Sequence, residues 1–398
     1  MAVETQAATL EERIEVLEEQ NSVLIEEVLA SQSAGFTTVD AEQSYTGMGA
    51  AASKVYYSKN PLSIGGYGEM FYANPEGKDD FADVYRFVTY VGYRFSDNII
   101  LNTEIEYEHG GAATDNAGGK VVVEFMYLDF LWKNELNFRV GNLLVPMGIV
   151  NLRHEPVLYN TIQRPEVESV LLPSTWGENG VMSYGRFDSL SLDYSAGVVN
   201  ALNLDSSETQ TANRKWIRSG RVGSSNKGSW SPAFTGRVDY TGAKGLLVGA
   251  SAYYGGASNR KNATNAISNV NTTMFDVHAI YNNGPFSSYG LYTQTSVDGD
   301  LGPTAAKEGR GYYVNLAYDV SDIIGISKKL PIFVQASNFN PVSKTVNGLN
   351  EDLQQTESLI TGFNLHVHDQ AILKFEYEQK EINKISSNTF SAGFAFIF

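Results

Sequence analysis

The chain has 398 residues and a formal net charge of -16, with 29 Lys and Arg against 45 Asp and Glu. This excess of negative charge argues against nucleic acid as a partner. The chain has 37 Gly, 23 Tyr, 20 Phe and no Cys, and no stretch approaches the roughly 18 consecutive apolar residues of a membrane-spanning helix, which excludes a helical membrane protein.

The first element in chain order is a heptad pattern in residues 9–32. Its core positions recur at spacings of four and three residues, as in a coiled coil. They are Leu10, Ile14, Leu17, Asn21, Leu24 and Val28. Because a helix of about three heptads is marginal alone in water, we expect residues 1–32 to associate with the same segment of other copies. A single core Asn favours two strands, the wider stripe made by Val16 and Val23 favours three, and a helix packed on its own protein is the alternative.

Residues 33–60 are mostly small and polar and show no sustained period. Residues 49–53, for example, are only Gly, Ala and Ser. Such composition is typical of linkers. We therefore expect a flexible connector between the coiled coil and the rest of the chain.

From residue 61 to residue 398, side chains alternate between two unlike faces. The clearest pair of segments is 84–95 and 99–108, joined only by residues 96–98. In the first segment Phe87 and Tyr93 share one face, while Arg86 and Arg94 lie on the other. Alternation with a period of two is typical of β-strands.

About sixteen such strands follow one another, and the joins between them alternate in length. Short joins fall near residues 96–98, 133–135, 188–189, 241–245, 282–285, 320–330 and 368–370. Long joins fall near residues 74–81, 110–119, 146–179, 202–233, 257–273, 296–309, 340–354 and 381–387. Transmembrane barrels have this plan. The sequence therefore predicts an all-β fold, a 16-stranded antiparallel transmembrane β-barrel over residues 61–398, in preference to a soluble sandwich with cross-strand aromatic pairs.

The third long join, residues 146–179, is the longest and the least loop-like. Pro residues stiffen it, and it contains Leu171, Leu172 and Trp176. Because a water-exposed loop would leave such side chains exposed, we expect this join to fold inward and narrow the lumen. The polar side chains that would then face the pore are Arg153, His154, Glu155, Arg164, Glu166, Glu168 and Glu178.

We also expect charged side chains of both signs on the inner wall. They are Arg86, Arg94, Arg139, Glu104, Glu106 and Glu108. Opposed charges in a narrow pore set a transverse field that favours polar solutes over apolar ones. The alternative is that these charges only keep the wall hydrated.

Patterns of catalytic or metal sites are weak. His154, His278, His366 and His368 lack the spacing of a metal site, and there is no G-x-S-x-G nucleophile elbow. We therefore expect no enzymatic activity, no metal site and no cofactor. An outer-membrane lipase or protease is the enzymatic alternative.

The chain ends on an alternating strand, residues 390–398, in which four Phe share one face and Phe398 is last. This ending resembles the C-terminal strand of Gram-negative outer-membrane barrels, whose final Phe is part of the signal read by the assembly machinery. With the third join folded inward, residues 62–398 resemble the 16-stranded trimeric porins, whose third extracellular loop forms the constriction. A coiled coil before the barrel is similar to some porins related to the phosphate- and dicarboxylate-selective ones, although mixed wall charges depart from the Arg and Lys ladder of a phosphate pore.

The resemblance implies a bacterial outer-membrane location, with residues 1–32 in the periplasm. It implies a homotrimer in contact with outer-membrane lipids and lipopolysaccharide, and recognition of Phe398 by the barrel-assembly machinery. The implied function is passive diffusion of small hydrophilic solutes and ions. The alternative is a structural protein whose coiled coil tethers the outer membrane to the peptidoglycan of the cell wall.

Overall fold

The computed structural model describes residues 21–22, 39–41, 43–111, 118–204, 213–224, 230–256, 270–349 and 351–398. The strands in these ranges are β1 (Leu62–Pro75), β2 (Phe81–Ser96), β3 (Ile99–Glu108), β4 (Lys120–Lys133), β5 (Leu136–Leu144), β6 (Gly177–Phe187), β7 (Leu192–Asn200), β8 (Pro232–Ala243), β9 (Leu246–Gly256), β10 (Asn271–Asn283), β11 (Phe286–Asp298), β12 (Ala306–Asp319), β13 (Pro331–Thr345), β14 (Thr356–His368), β15 (Ala371–Ile382) and β16 (Ile385–Ile397). The α-helices are α1 (Ala50–Tyr57), α2 (Glu166–Val170) and α3 (Ser321–Ile324).

The sixteen strands of the described ranges form one closed sheet. Each strand pairs with its sequence neighbours, and β1 pairs with β16; every one of these pairings is antiparallel. The predicted all-β, 16-stranded antiparallel barrel is therefore confirmed. None of the helices in the described part of the chain is long and apolar enough to cross a membrane.

The two faces of the sheet differ as the alternation predicts. Along β2, Phe87 and Tyr93 are each 41% exposed, whereas Arg86 and Tyr90 are buried. Because successive side chains of a strand point to opposite faces, the apolar set lies outside the barrel and the polar set lines its lumen. An apolar outer face with a polar lumen is the pattern of a transmembrane barrel.

The alternation of short and long joins is wrong at two places. Residues 383–384 join β15 directly to β16, where a long join at 381–387 is predicted. Asn383 and Lys384 have φ values of 50° and 64°, the backbone of a two-residue type I′ hairpin, so the polar residues beside them belong to the strands. Conversely, the join at 320–330, predicted among the short ones, contains α3.

The barrel closes where its last strand meets its first. The backbone N–H of Gly66 donates to Phe398 O at 3.0 Å, and Phe398 N donates to Gly66 O at 2.9 Å. On the outer face, a Cβ added at Gly66 would lie 2.7 Å from Phe398 Cζ, and one added at Gly68 would lie 2.7 Å from Phe396 Cζ. Glycines of the first strand therefore make the space in which the C-terminal rings pack.

We expect Gly66→Ala to destabilise the barrel by about 1–3 kcal/mol, because the added methyl overlaps the backbone as well as the ring. Its Cβ would lie 2.2 Å from Val88 O. Gly236→Ala is the matched control, since its Cβ would come no closer than 3.6 Å to Ser195 O. The measurement is the temperature at which each purified barrel loses its compact electrophoretic mobility. Equal temperatures for the two variants would contradict the packing argument.

The predicted flexible connector, residues 33–60, is wrong over its described helical part. Residues Ala50–Tyr57 form α1, which contacts β1, β2 and β3. Its buried residues are Ala50, Ala51, Ala52, Ser53 and Val55. Val55 packs on Gly92, where an added Cβ would lie 2.4 Å from the Val55 side chain. The small residues here let a helix fit closely against the inner wall, and do not keep the chain mobile.

The predicted coiled coil, residues 1–32, lies outside the described residues except for two positions. Asn21 and Ser22 are helical and exposed. The association of copies through the heptad positions stays a prediction.

Candidate functional site

Residues 145–176, between β5 and β6, fold into the lumen and are called the inward segment. Its Leu171, Leu172 and Trp176 side chains are fully buried. The ring of Trp176 lies 5.0 Å from that of Tyr253, on the inner face of β9. Residues 177–179, the end of the predicted loop, belong to β6 instead.

The central part of the inward segment, residues 156–162, is held by β15, far around the barrel from β5. Lys374 Nζ donates to three backbone oxygens of the segment: Pro156 O at 2.5 Å, Tyr159 O at 2.8 Å and Thr161 O at 2.8 Å. Glu376 accepts a hydrogen bond of 2.7 Å from Ile162 N. The segment therefore crosses the lumen, and does not only follow the wall next to β5.

The start of the segment is held by a chain of charged groups on β8 and β10. Gly148 N donates to Asp276 at 3.0 Å, and Asp276 contacts His278 Nδ1 at 2.6 Å. His278 Nε2 contacts Asp239 at 2.9 Å, and Asp239 pairs with Arg237 at 2.7 Å. Arg237 returns to the segment by donating to Gly148 O. Nothing in the sequence pattern around His278 indicated this role.

Residues on either side of this central part contact β3 and β12. His154 Nε2 lies 3.0 Å from Glu104. Glu168 accepts hydrogen bonds from Val150 N at 2.7 Å and from the Tyr313 hydroxyl at 2.5 Å. Burial raises the pKa of Glu168 to about 7, although both hydrogen bonds act in the opposite direction. These polar groups fix the path of the segment within the lumen.

The seven side chains expected to face the pore therefore separate into distinct environments. Four are at most 1% exposed, and the expectation that they face open water is corrected: they are His154, Glu155, Glu168 and Glu178. Glu178 accepts from Trp176 Nε1 and from Val222 N. Arg164 and Glu166 line a cavity of the lumen, whereas Arg153 is partly exposed and does not line that cavity. Burial was not predictable because each of the four has at least one partner from a distant part of the chain.

The six predicted wall residues mostly make fixed contacts. Arg86 pairs with Glu69 at 2.8 Å and with Glu106 at 3.2 Å. Among the described residues, this Arg86–Glu106 contact is the one ion pair between two members of the predicted set. Arg139 pairs with Asp129, Glu104 with His154 and Glu108 with Lys120. Arg94 donates to backbone oxygens of α1. We infer that most of these charges position other groups.

A second segment also enters the lumen, which the sequence reasoning missed. It joins β7 to β8, and its described parts are residues 201–204, 213–224 and 230–231. Trp216 and Ile217 are 1% exposed, and Trp216 Nε1 donates to Pro341 O at 2.7 Å. This apolar pair between basic residues was the signal that could have found it. Its Arg218 and Arg221 donate to backbone oxygens of Ser174 and Thr175.

The inward segment and the second segment border a cavity of about 580 Å³, called the outer cavity, at the end of the barrel that carries the long joins. Its basic lining residues are Lys78, Arg164, Arg214, Lys215, Arg218 and Lys380, and its acidic ones are Glu166, Glu376 and Glu378. Glu166 pairs with Arg214 at 2.6 Å and with Lys380 at 3.0 Å. Two arginines instead donate to backbone oxygens, Arg164 to His154 O and Arg218 to Ser169 O.

The lining of this cavity has more basic than acidic side chains. Burial, together with the neighbouring guanidinium groups of Arg221 and Arg164, lowers the pKa of Arg218 to about 9. Burial is the larger cause of this direction, and the two neighbouring guanidinium groups add to it, because a nearby like charge disfavours the protonated form. With six basic and three acidic side chains, the lining carries an excess of positive charge.

No family model matches the sequence. A protein of Aquifex aeolicus, described as uncharacterized, is 30% identical over 380 residues, which cover 90% of this chain and 85% of that protein. Similar solved structures include the anion-selective porin from Comamonas acidovorans, with a TM-score of 0.57 and 11% identity over 85% of this chain and 99% of that one. The outer-membrane channel DcaP of Acinetobacter baumannii gives 0.55 and 11%, over 85% and 97%. OmpT of Vibrio cholerae, in its trimer form, gives 0.53 and 13%, over 85% and 99%. These similarities show a porin-like fold.

Proposed function

The chain belongs to the same family as the Aquifex aeolicus protein, and we propose that it is an outer-membrane porin. It would pass small hydrophilic solutes and ions passively down their gradients. The observation that carries this proposal is a closed barrel with an apolar outer face, a polar lumen and a segment folded across that lumen. Side-chain alternation of this kind suits lipid outside and water inside.

The remaining parts of the proposal concern place and assembly. We place the protein in the bacterial outer membrane, surrounded by lipid and lipopolysaccharide, with residues 1–32 in the periplasm. Two observations support a homotrimer: the heptad pattern of residues 1–32, and the trimer form of Vibrio cholerae OmpT, whose fold is similar. The exposed C-terminal Phe398 is the residue that assembly machinery would read. We propose no enzymatic activity, and hydrolysis of lipid or peptide by the purified protein would contradict this.

We further propose that the channel prefers anions. Two of the three acidic groups of the outer cavity are compensated, since Glu166 and Glu378 contact Lys380, at 3.0 and 3.1 Å. Arg164 and Arg218 line the same cavity and donate to backbone oxygens of His154 and Ser169, which carry no compensating negative charge. An excess of fixed positive charge in a narrow passage concentrates anions and repels cations.

We expect Arg164→Ala/Arg218→Ala to shift the reversal potential toward cation selectivity, because it removes two charges from the cavity. The measurement is the reversal potential across planar bilayers under a tenfold salt gradient. Lys328→Ala/Lys329→Ala is the matched control, since it removes two exposed charges in the join at 320–330, at the opposite end of the barrel. Equal shifts in both variants would contradict a selective role for the cavity.

The heptad pattern of residues 1–32 supports a second candidate function, a tether to the cell wall. Deleting residues 1–32 separates the two functions. Loss of envelope integrity with unchanged single-channel conductance would favour the tether, whereas an intact envelope would leave the channel as the function.

A further inference from the structure

The N-terminal end of α1 is held by a carboxylate of the inward segment. Glu155 accepts hydrogen bonds from Ala51 N at 3.2 Å and from Ala52 N at 2.9 Å, and it is 1% exposed. The first N–H groups of a helix lack partners within the helix, and its N-terminus carries partial positive charge. A buried carboxylate therefore satisfies both the donors and the dipole.

The C-terminal end of α1 is held by a cation on the barrel wall. Arg94 donates to Val55 O at 3.2 Å and to Tyr56 O at 2.9 Å. Asn102, on β3, donates to Ala52 O at 2.8 Å. A cation at the C-terminus also matches the helix dipole. Wall and inward segment thus each hold one end of the helix.

Residues 43–49 pack with α1 as one unit. The ring of Tyr45 stacks on that of Tyr56, with centroids 3.8 Å apart, and Tyr45 N donates to the Ser53 hydroxyl at 2.9 Å. Met48 is buried. Gly49 N donates to Leu152 O of the inward segment at 3.1 Å.

This unit occupies the end of the lumen that carries the short joins. Its wall partner Arg94 precedes the turn at 97–98, and Asn102 follows that turn. Tyr56 donates to Asp129, which precedes the turn at 134–135. The outer cavity lies at the opposite end, so the inward segment separates the two.

We propose that residues 43–57 are an internal plug that restricts the lumen, held to the inward segment by Glu155. The proposal rests on the proposed channel function only where conductance is measured. The plug is held by apolar packing of α1 on the wall and by hydrogen bonds at both ends of the helix, from Glu155 and Arg94 to backbone groups. The hydrogen bonds can exchange for water. The contact between Glu155 and α1 is therefore an autoinhibitory one, whose loss widens the pore.

The first test measures whether the plug leaves the wall, and it does not depend on conduction. Because the chain has no Cys, Ala52→Cys places a single thiol on the buried face of α1. We expect a charged methanethiosulfonate reagent to modify it at least tenfold faster when Glu155→Ala is added. Glu155→Gln, which keeps an oxygen acceptor without the charge, is expected to be intermediate. Glu135→Ala, which removes an exposed carboxylate in the turn at 134–135, is the control and should leave the rate unchanged.

The second test measures single-channel conductance of the full-length Glu155→Ala/Arg94→Ala variant, with compact electrophoretic mobility as the check on folding. We expect about a twofold increase over the unmodified chain. Equal thiol rates with and without Glu155 would overturn the plug, as would equal, non-zero conductance of the folded variant and the unmodified chain. If thiol rates respond as expected but no variant conducts, the plug stands and the porin function fails.

Discussion

Lys374→Met is expected to release the inward segment from β15 and to destabilise the folded protein by about 3–5 kcal/mol. Lys374 is 2% exposed and donates to the backbone oxygens of Pro156, Tyr159 and Thr161. A buried carbonyl left without a donor costs about 1–3 kcal/mol. The variant leaves three such carbonyls without their donor. Water that enters the lumen would hydrogen-bond to some of them, so the total cost is smaller than three full penalties. Met has similar length, so loss of the ammonium group is the main change.

The expected signature is local as well as global. Limited proteolysis should cut the variant within residues 156–164, where the unmodified segment is protected by its contacts. Single-channel records should show larger current fluctuations, because the segment crosses the lumen. Lys215→Met is the matched control, since Lys215 borders the same cavity but is exposed. Protection of 156–164 in the Lys374→Met variant would show that β15 does not hold the segment.

The thermal stability of the unmodified chain is expected to fall between pH 5 and pH 8 by more than that of a Glu168→Gln variant. Burial raises the folded-state pKa of Glu168 from 4.5 to about 7. Between these values the folded chain keeps a proton that the unfolded chain has released, so stability falls as pH rises. A shift of this size corresponds to about 3 kcal/mol. The amide of Gln does not titrate, so the variant lacks this contribution.

Glu166 is the control for direction, because it lies two residues away and responds oppositely. Lys380 and Arg214 keep its pKa below 4.5 in spite of burial. Its contribution to stability is present above pH 4.5 and is lost as pH falls below that value. Melting temperatures of both Gln variants, measured from about pH 2 to pH 8, check both signs. A Glu168→Gln curve parallel to that of the unmodified chain would contradict the assignment.

The barrel was largely predictable because its signal is local. A strand shows its two faces through neighbouring residues, so alternation such as that of Arg86 and Phe87 needs no knowledge of the rest of the fold. The missed hairpin at Asn383 and Lys384 has a local cause too. Neither residue is Gly, so positive φ values were not indicated at that turn. The sequence also predicted that residues 146–179 fold inward, since their apolar side chains require burial.

What the sequence could not determine was which polar side chains meet water. Glu168 and Glu166 look alike in a sequence, yet Glu168 is buried against Tyr313, which lies 145 positions away. Lys374 holds Pro156 across 218 positions, and Glu155 holds Ala51 across 104. Such contacts depend on how far each strand lies around the closed sheet.

By itself, the sequence determined the sixteen-stranded barrel and the inward course of one long join, because alternation and apolar content are properties of short segments. Only the tertiary structure decided that α1 lies inside the lumen, that Trp216 is buried there from another join, and that Arg164 and Arg218 line one cavity. The physical reason is that burial and pairing of a charge depend on groups brought together by closure of the sheet.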